Sequence, residues 1–309
     1  MRITHQDGRS VHFIQRGWYN SNSVLIVAPD GAAIVDTGHR GGANDLLALI
    51  QEEGIDPAGI GLIVNTHSHW DHHGGNRALQ GVSGAAIAMS ATTAEWLGRD
   101  ERWLTWLDYF GEKANTTQAD IIWQDGDEVE LAGLRFQVIA APGHAPDAIA
   151  LYQPDGRFLI SADALHENDC GVINVAVHGD SVLDEATATI ERFRELDVEV
   201  VLPGHGRLIH DVPASLNAVA QRLSGFRADP SLLAWHLSRR VFMVHLMVRQ
   251  PIERHDLIEA ALQAPWIDDY APRCGFHDPA AFASQLIDEF LQRGLVVQED
   301  NQLVSRVAK

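Results

Sequence analysis

Three imidazoles and a carboxylate fall within six positions at His67, His69, Asp71 and His72, directly after the apolar run Ile60-Gly61-Leu62-Ile63-Val64. Neutral imidazole nitrogen and carboxylate oxygen are ligands for zinc and similar borderline divalent metals, and neither needs an oxidising compartment. On an extended segment His67 and His69, two apart, point to the same side and can share one ion. Asp71 and His72 are adjacent beyond the turn and can face a second ion. A polar loop of solvated histidines is the bland alternative; this density of ligand types at a strand end favours a metal site.

Short β-rich runs alternate with helical ones through the first two thirds of the chain. Strands are predicted over Val11 to Gln15, Val24 to Ala28, Ala32 to Asp36, Leu62 to Asn65, Ala85 to Met89, Leu134 to Ala140, Ala148 to Tyr152, Phe158 to Ser161 and Val198 to Leu202. Helices are predicted over Ala43 to Gly54, Arg77 to Gln80, Thr92 to Tyr109 in one or two pieces, and Asp184 to Glu195. Near Asp211-Val212-Pro213 the texture becomes mostly helical, with candidates Ala214 to Phe226, Ser231 to Arg249, Glu253 to Gln263 and Pro279 to Arg293. A hairpin turning at Asp300-Asn301 closes the chain, a winged-helix-like ending. Two parts follow from this division, 1–212 carrying the ligand blocks and 213–309 helical.

The stretch His67-Ser68-His69-Trp70-Asp71-His72-His73-Gly74-Gly75-Asn76 resembles the metallo-β-lactamase superfamily and is especially similar to its glyoxalase II and lactonase-like branch. Further blocks recur downstream in the family's order, each after a strand-like run: Ala141-Pro142-Gly143-His144, Ser161-Ala162-Asp163 and Leu202-Pro203-Gly204-His205-Gly206. Upstream, Val35-Asp36-Thr37-Gly38 matches an early strand-end motif, so the resemblance covers residues 10–210 or so. It implies a mixed α/β fold of four layers, αββα. It also implies His67, His69 and His144 on one metal, Asp71, His72 and His205 on a second, and Asp163 bridging them. Two zinc ions are the implied cofactors, with iron or manganese compatible. Hydrolysis of a small carbonyl substrate follows, whether thioester, lactone or other ester or amide, with Asp71 orienting the attacking water or taking its proton. An iron-dependent oxygenase resembling the persulfide dioxygenases, and a non-catalytic binding protein on the same fold, are the alternatives. Flavodiiron proteins fit less well, since they need Glu where His69 stands.

Several residues carry two readings each. Asp36 either supports a ligand or caps the turn before Thr37-Gly38. His166, three positions after Asp163, either orients substrate and protonates a leaving group or is a solvated loop histidine. Trp103, Trp106 and Phe110 share a face if their segment is helical, as a core or dimer stripe or as an aromatic wall over the metals. Cys170 either faces the cleft or is a buried thiol, and Cys274 lies too far along the chain to suggest a disulfide. His73 has no seat in the family pattern and reads as supporting or exposed. His178, His236, His245 and His255 read as ordinary residues. The surroundings of Arg239-Arg240 do not match the glutathione-holding motif of glyoxalase II, and Asp147 stands where many relatives have a small residue.

The net charge of −19 is uneven: residues 1–214 carry 31 acidic against 13 basic side chains, and 215–309 carry 11 against 10. Such a field repels polyphosphate backbones, which weighs against nucleases and nucleic-acid partners. No apolar run reaches membrane-spanning length and the N-terminus lacks an apolar leader, so a cytoplasmic enzyme acting on a small molecule is expected, with a homodimer compatible.

Overall fold

The computed structural model describes residues 2–4, 8–113 and 116–307. Strands β1 (Arg2–Thr4), β2 (Ser10–Ile14), β3 (Ser23–Ala28), β4 (Gly31–Val35), β5 (Ile60–Val64), β6 (Ala86–Ser90) and β7 (Ile121–Trp123) form one sheet in chain order. It is antiparallel as far as β4 and parallel from β4 to β7. Strands β8 (Glu128–Leu131), β9 (Leu134–Ala140), β10 (Ile149–Gln153), β11 (Phe158–Ala162) and β12 (Val200–Pro203) form a second sheet, ordered β12-β11-β10-β9-β8.

Alternation of side chains along the strands builds the layers. Val24, Ile26, Ala33 and Val35 face Phe136, Val138, Phe158 and Ile160 in a core between the sheets. The intervening Leu25 and Ile34 point to the other side of the first sheet, onto Leu46 and Ile50 of α1 (Ala43–Glu52) and Leu79 of α3 (Asn76–Ser83). Ile139 and Leu159 do the same on the second sheet, against Val182, Ile190 and Phe193 of α7 (Val182–Arg194). The result is the expected αββα sandwich. Between β5 and α3 lies the single turn α2 (Trp70–His73), and α4 (Ala91–Gly98), α5 (Leu107–Phe110) and α6 (Val175–His178) occupy loops at the ligand-bearing edge.

Helix α8 (Val212–Ala228) adds Leu216, Val219 and Leu223 to the cluster that covers the second sheet, so that outer layer continues past residue 212. Helices α9 (Pro230–Arg249), α10 (Arg254–Leu262), α11 (Pro265–Tyr270) and α12 (Pro279–Gln292) then pack around Phe242, Trp266, Phe282 and Phe290 in a cluster that also takes in Trp70, Trp106, Tyr109 and Phe110. Asp211, Asp229 and Asp278 cap α8, α9 and α12, each with proline in the first turn. The hairpin of β14 (Val296–Glu299) and β15 (Gln302–Ser305) turns at Asp300 and Asn301, both with positive φ, and β13 (Ile252–Glu253) adds a third strand.

Two expectations need correction. Strands β1, β7, β8 and β13 and helices α2, α6 and α11 went unpredicted, none of them longer than six residues. The Trp-rich segment does form in two pieces, α4 and α5, but they are separated by an irregular stretch in which Trp106 has φ 60°. Trp103, Trp106 and Phe110 therefore share no helical face: Trp103 is 37% exposed, while the other two are buried.

Candidate metal centre

The ligand blocks all lie at strand ends, so one edge of the sandwich gathers them. Strand β5 ends at Val64, and His67 and His69 follow in a bent loop rather than on a strand extension. The loop is tied at its base by reciprocal amide hydrogen bonds of Asn65 and Asn76, 2.6 and 3.2 Å. At the end of β11 a register shift and a φ of 48° at Ala162 turn Asp163 toward the histidines. Gly204 makes room for it, since a Cβ there would fall inside contact distance of Asp163 Oδ1.

Three imidazoles meet first. His69 Nδ1 lies 3.1 Å from His67 Nε2 and 2.9 Å from His144 Nε2. The outer nitrogens of two of these rings are occupied: His144 Nδ1 donates to the Val172 carbonyl at 2.6 Å, and His67 Nδ1 donates to Thr66 Oγ1 at 3.0 Å. Thr66 Oγ1 in turn donates to Asp36 Oδ2 at 2.7 Å. Nitrogen lone pairs of His67 and His144 are thus turned toward the same point as His69. Burial and the neighbouring imidazoles hold His67 and His69 well below the ordinary histidine range, and burial takes His144 to about 4. Neutral ring nitrogens facing one another without protons between them fit a shared cation.

The second set is charged differently. His205 Nε2 lies 3.1 Å from Asp71 Oδ2, and His72 Nε2 lies 3.8 Å from the same oxygen. Asp163 stands between the sets, with Oδ2 3.4 Å from His144 Nε2 and 3.5 Å from His205 Nε2, and Oδ1 3.6 Å from His72 Nε2. Burial disfavours charge on His72, but the carboxylates of Asp163, Asp36 and Asp71 outweigh it and raise its pKa well above the ordinary value. Burial likewise opposes ionisation of Asp71 and Asp163, yet the surrounding histidines pull both carboxyls below the usual range. All seven predicted ligand positions therefore converge, in groups with ligand-competent atoms close enough to hold metal.

Asp36 is a supporting residue rather than only a turn cap. Its carboxylate receives the Thr66 N–H at 2.9 Å, the Thr66 hydroxyl, and His72 Nδ1–H at 2.7 Å, aiming the other ring nitrogen of His72 inward. Asp147, buried, receives the Ser68 N–H and the Thr93 hydroxyl, each at 2.8 Å, and so anchors the loop between His67 and His69. Burial raises its pKa. His166 Nε2 lies 3.3 Å from Asp163 Oδ1. His73 is buried, not exposed.

A cavity of about 400 Å³ opens over these groups. Its walls include Trp18, Trp106, Phe110, Met243 and Met247, so the aromatic segment does face the metal edge, through Trp106 and Phe110. The Trp106 ring centroid is 4.4 Å from that of His69. Trp18, half exposed, stacks parallel to His205 at 6.3 Å and meets His166 edge-on. No motif marks Trp18 in the sequence; only its aromatic character in a polar stretch hints at a surface role. Cys170 lines the same cavity as a buried thiol whose pKa burial pushes up to about 12, and neither it nor Cys274 is bonded to another cysteine. Three of the histidines read as ordinary have partners: His178 accepts the Trp106 indole N–H, His236 meets Asp169, and His245 meets the Tyr109 carbonyl. His255 is exposed. Arg239 and Arg240 line the cavity. Among the described residues no helix is long and apolar enough to cross a membrane.

A family model described as "Metallo-beta-lactamase superfamily" matches residues 16–205. A probable metallo-hydrolase of Methanocaldococcus jannaschii is 26% identical over 191 residues, 62% of this chain and 89% of that protein. A hydroxyacylglutathione hydrolase of Ectopseudomonas mendocina is 32% identical over 139 residues, 45% of this chain and 44% of that one. An acyl-coenzyme A thioesterase of Homo sapiens is 29% identical over 230 residues, covering 64% and 78%. Among solved structures, a metallo-beta-lactamase family protein from Thermus thermophilus superposes with a TM-score of 0.58 at 20% identity, over 96% of this chain and 98% of the other, a likeness of fold.

Proposed function

Because the chain belongs to the metallo-beta-lactamase superfamily, we propose that this hydrolase carries two metal ions and cleaves a small carbonyl substrate, a thioester, lactone or other ester or amide. The observation that carries the proposal is the position of Asp163, whose two oxygens lie 3.4–3.6 Å from histidines of both ligand sets. His67, His69 and His144 would hold one ion, Asp71, His72 and His205 the other, with Asp163 shared. Zinc suits these nitrogen and oxygen donors, and iron or manganese would also be accepted. When bound, such a pair supplies water that ionises near neutrality and a Lewis acid for the carbonyl oxygen.

The protein's own groups do the remaining work. Asp71, beside His205, orients the attacking water or accepts its proton. His166, beside Asp163 and under the edge of Trp18, stands where a leaving group would take up a proton. Trp106 and Phe110 exclude water from the acyl side and strengthen each polar interaction there. The acidic field of residues 1–214 favours carbonyl substrates over phosphodiesters. The names of the thioester-cleaving relatives support the thioester end of this range.

The deciding experiment is a panel of thioesters, lactones, esters and amides assayed together with metal content and oxygen uptake. Turnover of a carbonyl substrate with two metal equivalents per chain is expected. Oxygen consumption with a persulfide, or no turnover by fully metallated protein, would overturn the proposal.

A further inference from the structure

Helix α9 lays Arg240, Met243, Val244 and Met247 along the cavity, a spacing of i, i+3, i+4 and i+7 that keeps all four on one face. Arg239 joins the basic end of this stripe, and Arg293 approaches it from just beyond α12. One wall thus changes from cationic to apolar over about 10 Å, seven residues of helical rise.

The basic end holds more positive charge than its partners neutralise. Asp169 is shared by Arg240 and Arg222, the latter at 3.1 Å. Glu289 is likewise shared by Arg239 at 2.8 Å and Arg293 at 2.9 Å. Two carboxylates therefore answer the three guanidiniums that line the cavity and also Arg222 outside it, in a chain whose net charge is −19. His236, the other neighbour of Asp169, has its pKa lowered by burial to about 4 and adds no charge at neutral pH. The acidic members of the cavity, Asp71 and Asp163, lie among the metal-centre histidines instead.

We propose that this wall is a subsite for an anionic amphiphile: a carboxylate- or phosphate-bearing group of the substrate sits at Arg239, Arg240 and Arg293, and its apolar part lies along Met243, Val244 and Met247. The proposal rests on the hydrolase reading for the bond cleaved, but the subsite is testable by binding alone. Guanidinium forks match both oxyanions, and the two are separated by experiment.

The metal-loaded protein is titrated, by calorimetry, with three non-hydrolysable thioethers that share an octyl chain: S-octyl-coenzyme A, S-octyl-glutathione and the uncharged S-octyl-N-acetylcysteamine. At least one anionic ligand binds about tenfold more tightly than the neutral one, and which of the two does so identifies phosphate or carboxylate as the favoured group. Arg293→Gln, at a position more than half exposed, weakens anion binding about fivefold and leaves the neutral ligand unchanged. Glu289→Gln, which removes the opposing carboxylate, tightens anion binding by a similar factor, an effect that damage to the fold would not produce. Equal binding of all three ligands, or a Glu289→Gln variant that weakens them all, overturns the subsite. Selective anion binding without cleavage of any thioester, lactone, ester or amide carrying the favoured anionic group would overturn the hydrolase reading and leave the subsite standing.

Discussion

The indole of Trp106 lies over the imidazole of His69, with ring centroids 4.4 Å apart, and donates its N–H to His178 Nε2 at 3.0 Å. His178 in turn stacks parallel to Trp96 at 6.3 Å. A chain of three rings thus fixes one wall of the cavity relative to a candidate ligand, although Trp106 itself holds no metal.

That separation of roles gives the first prediction. Trp106→Phe keeps an aromatic wall and should retain full metal content while raising KM for apolar acyl substrates severalfold. His178→Ala leaves the indole N–H without its acceptor and should cost about 1 kcal/mol in urea unfolding. Loss of metal from Trp106→Phe would show that the ring supports the centre itself.

Asp36 should matter through His72 and Thr66. Asp36→Asn removes the charged acceptor of His72 Nδ1–H and should lower metal affinity or activity about 10- to 100-fold, the usual penalty for removing such a partner. Competition with a chelator of known affinity measures it. An unchanged affinity would reduce Asp36 to a turn residue.

Gly204→Ala probes the placement of Asp163. The added methyl would press on Asp163 Oδ1 and on the Ala162 backbone, so the carboxylate must move. The variant should bind less than the full complement of metal and lose most activity, with its circular dichroism spectrum retained. Wild-type activity would mean that Asp163 tolerates displacement.

A pH effect on stability is expected from His245, which packs against Phe110 and Trp266 and is not among the candidate ligands. Burial lowers its pKa from 6.5 to about 4, with Arg249 adding to the shift. The unfolded chain therefore takes up a proton near pH 6.5 that the folded chain refuses until about pH 4. Stability from this group is complete above pH 6.5 and falls as pH drops toward 4, by roughly 3 kcal/mol for the full shift. His245→Gln should unfold less steeply with acid between pH 6.5 and 5 than the parent protein, in paired melting curves. Parallel curves would contradict the assignment.

The metal edge was legible because ligand chemistry is local in the chain. His67, His69, Asp71, His72, His144, Asp163 and His205 each sit just past an apolar run, and strand ends on one edge of a sandwich bring such positions together. Alternating strands and the long helices of the C-terminal part were readable for the same reason: period and turn are written within a few residues. Short elements were not, since β7 and β8 hold their shape through pairing with β6 and β9.

What stands above the candidate metal edge was decided by tertiary packing. Trp106 is aimed by an irregular backbone turn and by His178, 72 positions away. Arg239 and Arg240 gained meaning once α9 crossed the cavity and set them opposite Asp169 and Glu289, and Trp18 once its loop lay on His205. A ligand's identity depends on the donor atom it carries, which composition reveals. A wall's identity depends on which distant segments share a surface, and that is decided by the burial of apolar faces across the whole chain.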